Sequence, residues 1–109
     1  VNRPKDFPEV ITLCGSTRFR DNFLETYEKL SLQGKIVLSV TKFTHADNLT
    51  ISEDQKKKLD ELHLRKIDLS DSIYVIDVNG YIGESTKREI EYAKNNSKQI
   101  TYYSQEMKK

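Results

Sequence analysis

The sequence predicts a three-layer α/β domain, flavodoxin-like or Rossmann-like, around a mostly parallel sheet of four or five strands. Three observations carry this. Short runs rich in β-branched and aromatic residues, at 10–14, 35–40, 72–78 and 99–103, alternate with longer stretches of helical periodicity. The first strand, helix and second strand follow one another with short links, which predicts a right-handed crossover and parallel pairing. The third run, SIYVIDV, holds Ile73, Tyr74, Val75 and Ile76 in succession, as a central parallel strand buried on both faces requires. At 109 residues the chain has the size of one domain with one modest core, and it shows no internal repeat or linker.

Each element has its own grounds. Residues 1–8 are polar and carry both prolines, Pro4 and Pro8, an extended lead-in. The first strand, 10–14, runs directly into Gly15-Ser16-Thr17-Arg18. A helix over 19–32 follows, with Phe23, Tyr27 and Leu30 as its apolar stripe, and Gly34 closes it before the second strand. Residues 41–51 form a polar connection carrying Phe43 and His45. Ser52 and Glu53 open a long helix reaching Leu69. Its start is highly charged, its apolar stripe is Leu59, Leu62 and Ile67, and His63 lies on the Leu59 side. Asp71 caps the connection to the central strand. A glycine-bearing loop, 79–84, leads to a helix entered through Ser85 and Thr86, with Glu89 one turn in. After the turn Asn95-Asn96-Ser97 comes the last strand, and the polar tail 104–109 is expected to fray.

A sheet order of 2-1-3-4 follows if the second crossover reverses direction. The switch point then falls between strands one and three, and the loops 15–18 and 79–84 flank one crevice at the carboxyl end of the sheet, where open α/β sheets place ligands.

Composition narrows the function. With 18 basic against 17 acidic residues the formal charge is +1, without the basic excess of a general nucleic-acid or membrane-surface binder. No apolar run approaches the length of a membrane span, and no signal-peptide pattern is present, so a cytoplasmic protein is the expectation. The single cysteine, Cys14, cannot form an internal disulfide, and no CxxC or Cys/His spacing suggests zinc. It reads as a small buried thiol at a strand end.

The chemistry-bearing residues gather at the crevice. In Gly15-Ser16-Thr17-Arg18, glycine permits close backbone approach, while the hydroxyls and guanidinium can complete an anion site. The alternative is ordinary strand-to-helix turn chemistry with Ser16 or Thr17 as N-cap. Neither GxGxxG nor GxxxxGK[ST] is present. Glu89 forms Thr86-x-x-Glu89, a capping-box pattern, yet the same position near a helix start would keep its carboxylate ionised and available as a nucleophile. His63 is either a half-buried core histidine or a proton donor, and His45 either an exposed loop residue or a second imidazole at the crevice. Asp77, at the end of the central strand, is placed near the ligand, and Tyr81 in the loop can stack on a base or sugar.

Together, ITLCGSTRF, IDLSDSIYVIDV and GYIGESTKREIEYA resemble the nucleoside 2-deoxyribosyltransferase superfamily, which includes the 2′-deoxynucleoside 5′-monophosphate N-glycosidases. The resemblance covers most of the chain. It implies that Glu89 is a nucleophile toward the sugar anomeric carbon and that Gly15, Ser16 and Arg18 line a phosphate pocket. It also implies retaining chemistry through a glycosyl-enzyme, with no metal or organic cofactor. Family members are homo-oligomers whose neighbouring subunits complete the pocket, a role within reach of Tyr102 and Tyr103. Two departures stand out. His63 falls near the place of the family's proton-donating aspartate, which leaves His63, Asp68 or Asp77 to act instead, or the activity altered. Gly83 falls where the family often carries serine or aspartate, and Ser85 is the residue placed to compensate.

The expectation is therefore a nucleoside or nucleotide N-glycosyl-bond enzyme, either a deoxyribosyltransferase (transferase) or an N-hydrolase (hydrolase). Glu89, His63 and Asp77 are its candidate catalytic residues. Gly15, Ser16, Thr17, Arg18, His45, Tyr81, Gly83 and Ser85 are its candidate substrate contacts. The partner is a small nucleoside or nucleotide rather than a nucleic-acid polymer or a membrane. The alternative from another class is a nucleotide-binding or sensing protein without turnover. A phosphoribohydrolase of the cytokinin-activating type lacks support, because its PGGxGTxxE loop is absent.

Overall fold

The computed structural model describes residues 3–40 and 50–106. In chain order its elements are β1 (Val10–Gly15), α1 (Arg20–Leu32), β2 (Ile36–Leu38), α2 (Glu53–Leu69), β3 (Ser72–Ile76), α3 (Glu84–Asn95), β4 (Gln99–Tyr102) and α4 (Tyr103–Glu106). Short 3-10 turns follow β1 (Thr17–Phe19) and β3 (Val78–Gly80). Among the described residues no helix is long and apolar enough to cross a membrane.

The sheet has the order β2-β1-β3-β4 and every pairing is parallel, as expected from the chain. Central β3 is buried along its whole length. Handedness then decides which face each helix covers. The step from β1 to β2 runs one way across the sheet, while β2 to β3 and β3 to β4 run the other, so right-handed crossovers put α1 on one face and α2 and α3 on the opposite one. The cores agree. On the α1 face, Ile11, Leu13, Tyr74 and Ile76 pack with Phe23 and Leu30. On the other, Cys14, Ile73 and Val75 pack with Ile67, Ile90 and Ala93. The alternation of strand side chains produces this division directly.

Three expectations about the helices are corrected. The buried stripe of α1 is Phe23, Thr26 and Leu30, whereas Tyr27 is 46% exposed. On α2 the face turned to the sheet is His63 and Ile67, four residues apart, and Leu59 and Leu62 turn outward. On α1 only the middle position moves, from Tyr27 to Thr26; on α2 Ile67 is buried as expected, and His63 rather than the two leucines is buried beside it. The tail does not fray at residue 104: Tyr103–Glu106 forms a helical turn. Asp77 accepts from the Ser104 N–H at 2.8 Å and from its hydroxyl at 2.7 Å, and the Tyr74 hydroxyl donates to Glu106 at 2.6 Å.

The ends of the elements are set by local chemistry. Ser52 caps α2 in a reciprocal box with Gln55. Asp71 accepts from the Val10 N–H at 2.9 Å, fixing the start of β1 against the start of β3. At the other end, Gly15 is paired with Ile76, and a Cβ on Gly15 would stand 2.8 Å from the Ile76 carbonyl oxygen. Only glycine lets β1 and β3 stay paired to their carboxyl ends, the point from which the two site loops diverge.

Candidate functional site

A cleft of about 680 Å³ opens at the carboxyl ends of β1 and β3, the switch point of the sheet. Its volume lies in the range of small-molecule sites. Gly15, Ser16, Thr17 and Arg18 line one side, and Tyr81, Gly83, Ser85 and Glu89 another. The α2 face contributes Lys56, Asp60 and His63.

The first loop is a built turn. The Ser16 side chain caps the 3-10 helix by accepting from the Arg18 N–H at 3.3 Å and from Arg18 Nε at 3.1 Å. The Arg18 guanidinium lies 4.5 Å from the centre of the Tyr81 ring, and Phe19 meets the same ring edge-on at 5.9 Å. Tyr81 therefore clasps the two loops together across the cleft, a cation–π contact between elements 63 residues apart in sequence. Gly83 is the N-cap of α3, in ordinary extended backbone with room for a side chain. Ser85 accepts from Arg88 at 3.2 Å.

At the back of the cleft three side chains from three elements converge: Cys14 of β1, His63 of α2 and Glu89 of α3. Their ligating atoms all lie within 4.8 Å of one another. Cys14 Sγ is 3.4 Å from His63 Nε2, and His63 Nε2 is 3.7 Å from Glu89 Oε1. Exposure falls from Glu89 (14%) through His63 (7%) to Cys14 (0%).

Burial controls the charge state of all three. Glu89 is pushed up to about 7, chiefly by desolvation, against the thiol hydrogen bond that lowers it. His63 is pushed down to about 4 by desolvation, with the positive charge of Lys66 acting in the same direction. The Cys14 thiol is raised well above its ordinary value by burial and by the neighbouring Glu89 charge. Burial thus favours the uncharged form of each partner, so the pair is disposed against a salt bridge.

This corrects the expected capping box. With Gly83 as N-cap, Thr86 is the third helical residue and Glu89 the sixth, too deep to reach back to the helix entrance. For the same reason the helix start does not hold its carboxyl low, and burial dominates. Asp77 is likewise absent from the cleft lining. It is buried, and both its oxygens accept from Ser104, so it anchors α4. Asp68 sits at the far end of α2, bonded to Tyr92 and Arg65. Tyr102 and Tyr103 pack against the protein's own two cores. His45 lies outside the described residues.

Two residues, Asp60 in the cleft lining and Cys14 buried behind it, were not legible as site residues in the chain. Asp60 lines the cleft one helical turn before His63, and its charge acts on both His63 and Glu89. The spacing of three residues was the available signal, masked by the surrounding charged run. Cys14 read as inert because its partners stand 49 and 75 positions away. No family model matches this chain, and no curated protein matches it.

Proposed function

We propose that this chain breaks or exchanges the N-glycosyl bond of a nucleoside or nucleotide, with Glu89 as nucleophile. The observation that carries the reading is the position of the Glu89 carboxyl. It lies in a nucleotide-sized cleft at the sheet's switch point, opposite a glycine-hydroxyl-arginine loop suited to a phosphate. In the proposed reaction a Glu89 carboxylate oxygen bonds to the anomeric carbon as the carbon–nitrogen bond breaks. The bond's electron pair leaves with the base, which takes up a proton. Water, or a second base, then attacks the same carbon and releases Glu89.

A neutral His63 is suited to orienting Glu89 rather than to supplying a proton. Asp60 and Glu84 are the other carboxyls lining the cleft, and delivery of the proton to the departing base falls to Asp60, one helical turn before His63. Arg18, stacked on Tyr81, is the cation for a 5′-phosphate. The resemblance also implies a homo-oligomer. The outward Leu59 and Leu62, at the cleft rim, are the surface a second copy would cover, and a monomer by light scattering would remove that part.

The test is release of free base from a panel of deoxynucleosides and their 5′-monophosphates, followed by chromatography in chelator, with Glu89→Gln alongside. Release by the wild type that is lost in Glu89→Gln supports the reading, and a second free base separates transfer from hydrolysis. Release that persists in Glu89→Gln removes Glu89 as nucleophile. A second reading, nucleotide binding without turnover, draws on one observation: an imidazole, His63, lines the cleft near the place where the resembling family has an aspartate. Binding by calorimetry with no base released would favour it.

A further inference from the structure

We infer that Cys14, His63 and Glu89 form a binding site for a borderline transition-metal ion such as Zn²⁺ or Co²⁺. The donor set is a thiol sulfur, an imidazole nitrogen and a carboxylate oxygen, the three ligand types that zinc uses. Tetrahedral bonds of about 2.0–2.3 Å place neighbouring ligand atoms roughly 3.4–3.6 Å apart. The sulfur–nitrogen and nitrogen–oxygen separations are 3.4 Å and 3.7 Å and all three ligand atoms lie within 4.8 Å of one another, so an ion fits once side-chain rotation draws the sulfur and the carboxylate oxygen together.

Charge favours the same conclusion. A divalent ion with one thiolate, one carboxylate and one neutral imidazole is a neutral assembly, the form a desolvated site tolerates. Binding breaks the S–H bond of Cys14, and the O–H bond of Glu89 where that carboxyl is protonated, and the protons pass to solvent. Access is graded: Glu89 and His63 line the cleft, so an ion meets them before the fully buried sulfur, and its fourth ligand comes from the cleft side.

The site does not depend on the glycosyl-bond reading, because metal binding is measured with no substrate present. The two are exclusive at Glu89, whose carboxylate cannot both hold an ion and attack a sugar.

The experiment is titration of the purified, chelator-treated chain with Co²⁺, followed by absorption spectroscopy, then displacement by Zn²⁺. The expected result is a near-ultraviolet thiolate-to-cobalt charge-transfer band with visible tetrahedral bands, saturating at one ion per chain and removed by Zn²⁺. The band is absent in Cys14→Ser and weakened in His63→Gln and Glu89→Gln, with circular dichroism verifying the fold of each variant. No thiolate band in the wild type overturns the inference, whatever the variants do. So does a band unchanged in both His63→Gln and Glu89→Gln, which would show the sulfur coordinating without the other two.

Discussion

His63 Nε2 lies 3.7 Å from Glu89 Oε1, and the two side chains share one desolvated wall of the cleft. Burial displaces their proton affinities in opposite directions, each away from its charged form. Several measurable consequences come from this pair and from the loops around it.

Stability should respond to pH through this pair with compensating signs. Glu89 has a folded value of about 7 against its ordinary 4.5, so its contribution is complete below 4.5 and is lost as pH rises through 7. His63 has a folded value of about 4 against 6.5, so its contribution is complete above 6.5 and is lost as pH falls through 4. Between 4.5 and 6.5 the slopes oppose. Glu89→Gln removes one of them: relative to wild type, the variant gains stability on going from pH 5 to pH 8, by up to about 3 kcal/mol. Urea unfolding at the two pH values in chelator checks this, and a pH-independent difference would contradict it.

If Glu89 is the nucleophile, base release requires its ionised form. In chelator, kcat/KM should rise with pH and level off above about 7. A profile that is flat from pH 5 to 8 would mean that another group limits the reaction. Asp60→Asn should depress kcat most for bases that leave only when protonated, and least for an activated leaving group.

Gly15→Ala should destabilise the fold by about 2 kcal/mol or more, because the added methyl meets the Ile76 carbonyl at 2.8 Å. Gly83→Ala, with nothing closer than 3.6 Å to the added carbon, should stay near wild type. Equal losses at the two positions, by denaturant titration, would contradict the close β1–β3 approach.

Asp77→Ala should cost about 2 kcal/mol by leaving the Ser104 groups unpaired, while nucleotide affinity stays where it was. A collapse of affinity with unchanged stability would return Asp77 to the site. In contrast, Arg18→Ala should weaken a 5′-monophosphate about tenfold and leave the matching nucleoside little affected. Calorimetry on the ligand pair distinguishes these outcomes.

The sequence by itself determined the architecture: strand runs that are apolar on both sides, helical spacing between them and short crossovers together leave one parallel sheet with its switch point between the first and third strands. It also located Gly15–Arg18, Tyr81, Gly83, Ser85 and Glu89 around one crevice, because loops at the carboxyl ends of adjacent parallel strands must lie together. The tertiary structure decided what each side chain faces. Leu59, Leu62 and Ile67 looked like the core stripe of α2; Ile67 is buried as expected, but His63 is buried beside it and both leucines stay exposed, a choice that composition alone does not fix. Asp77 looked like a ligand contact until the chain's tail folded back onto it. Above all, Cys14, His63 and Glu89 belong to three separate elements. Local spacing governs contacts within a helix or strand, whereas the meeting of three elements is set by crossover handedness and packing, so no short-range pattern could announce it.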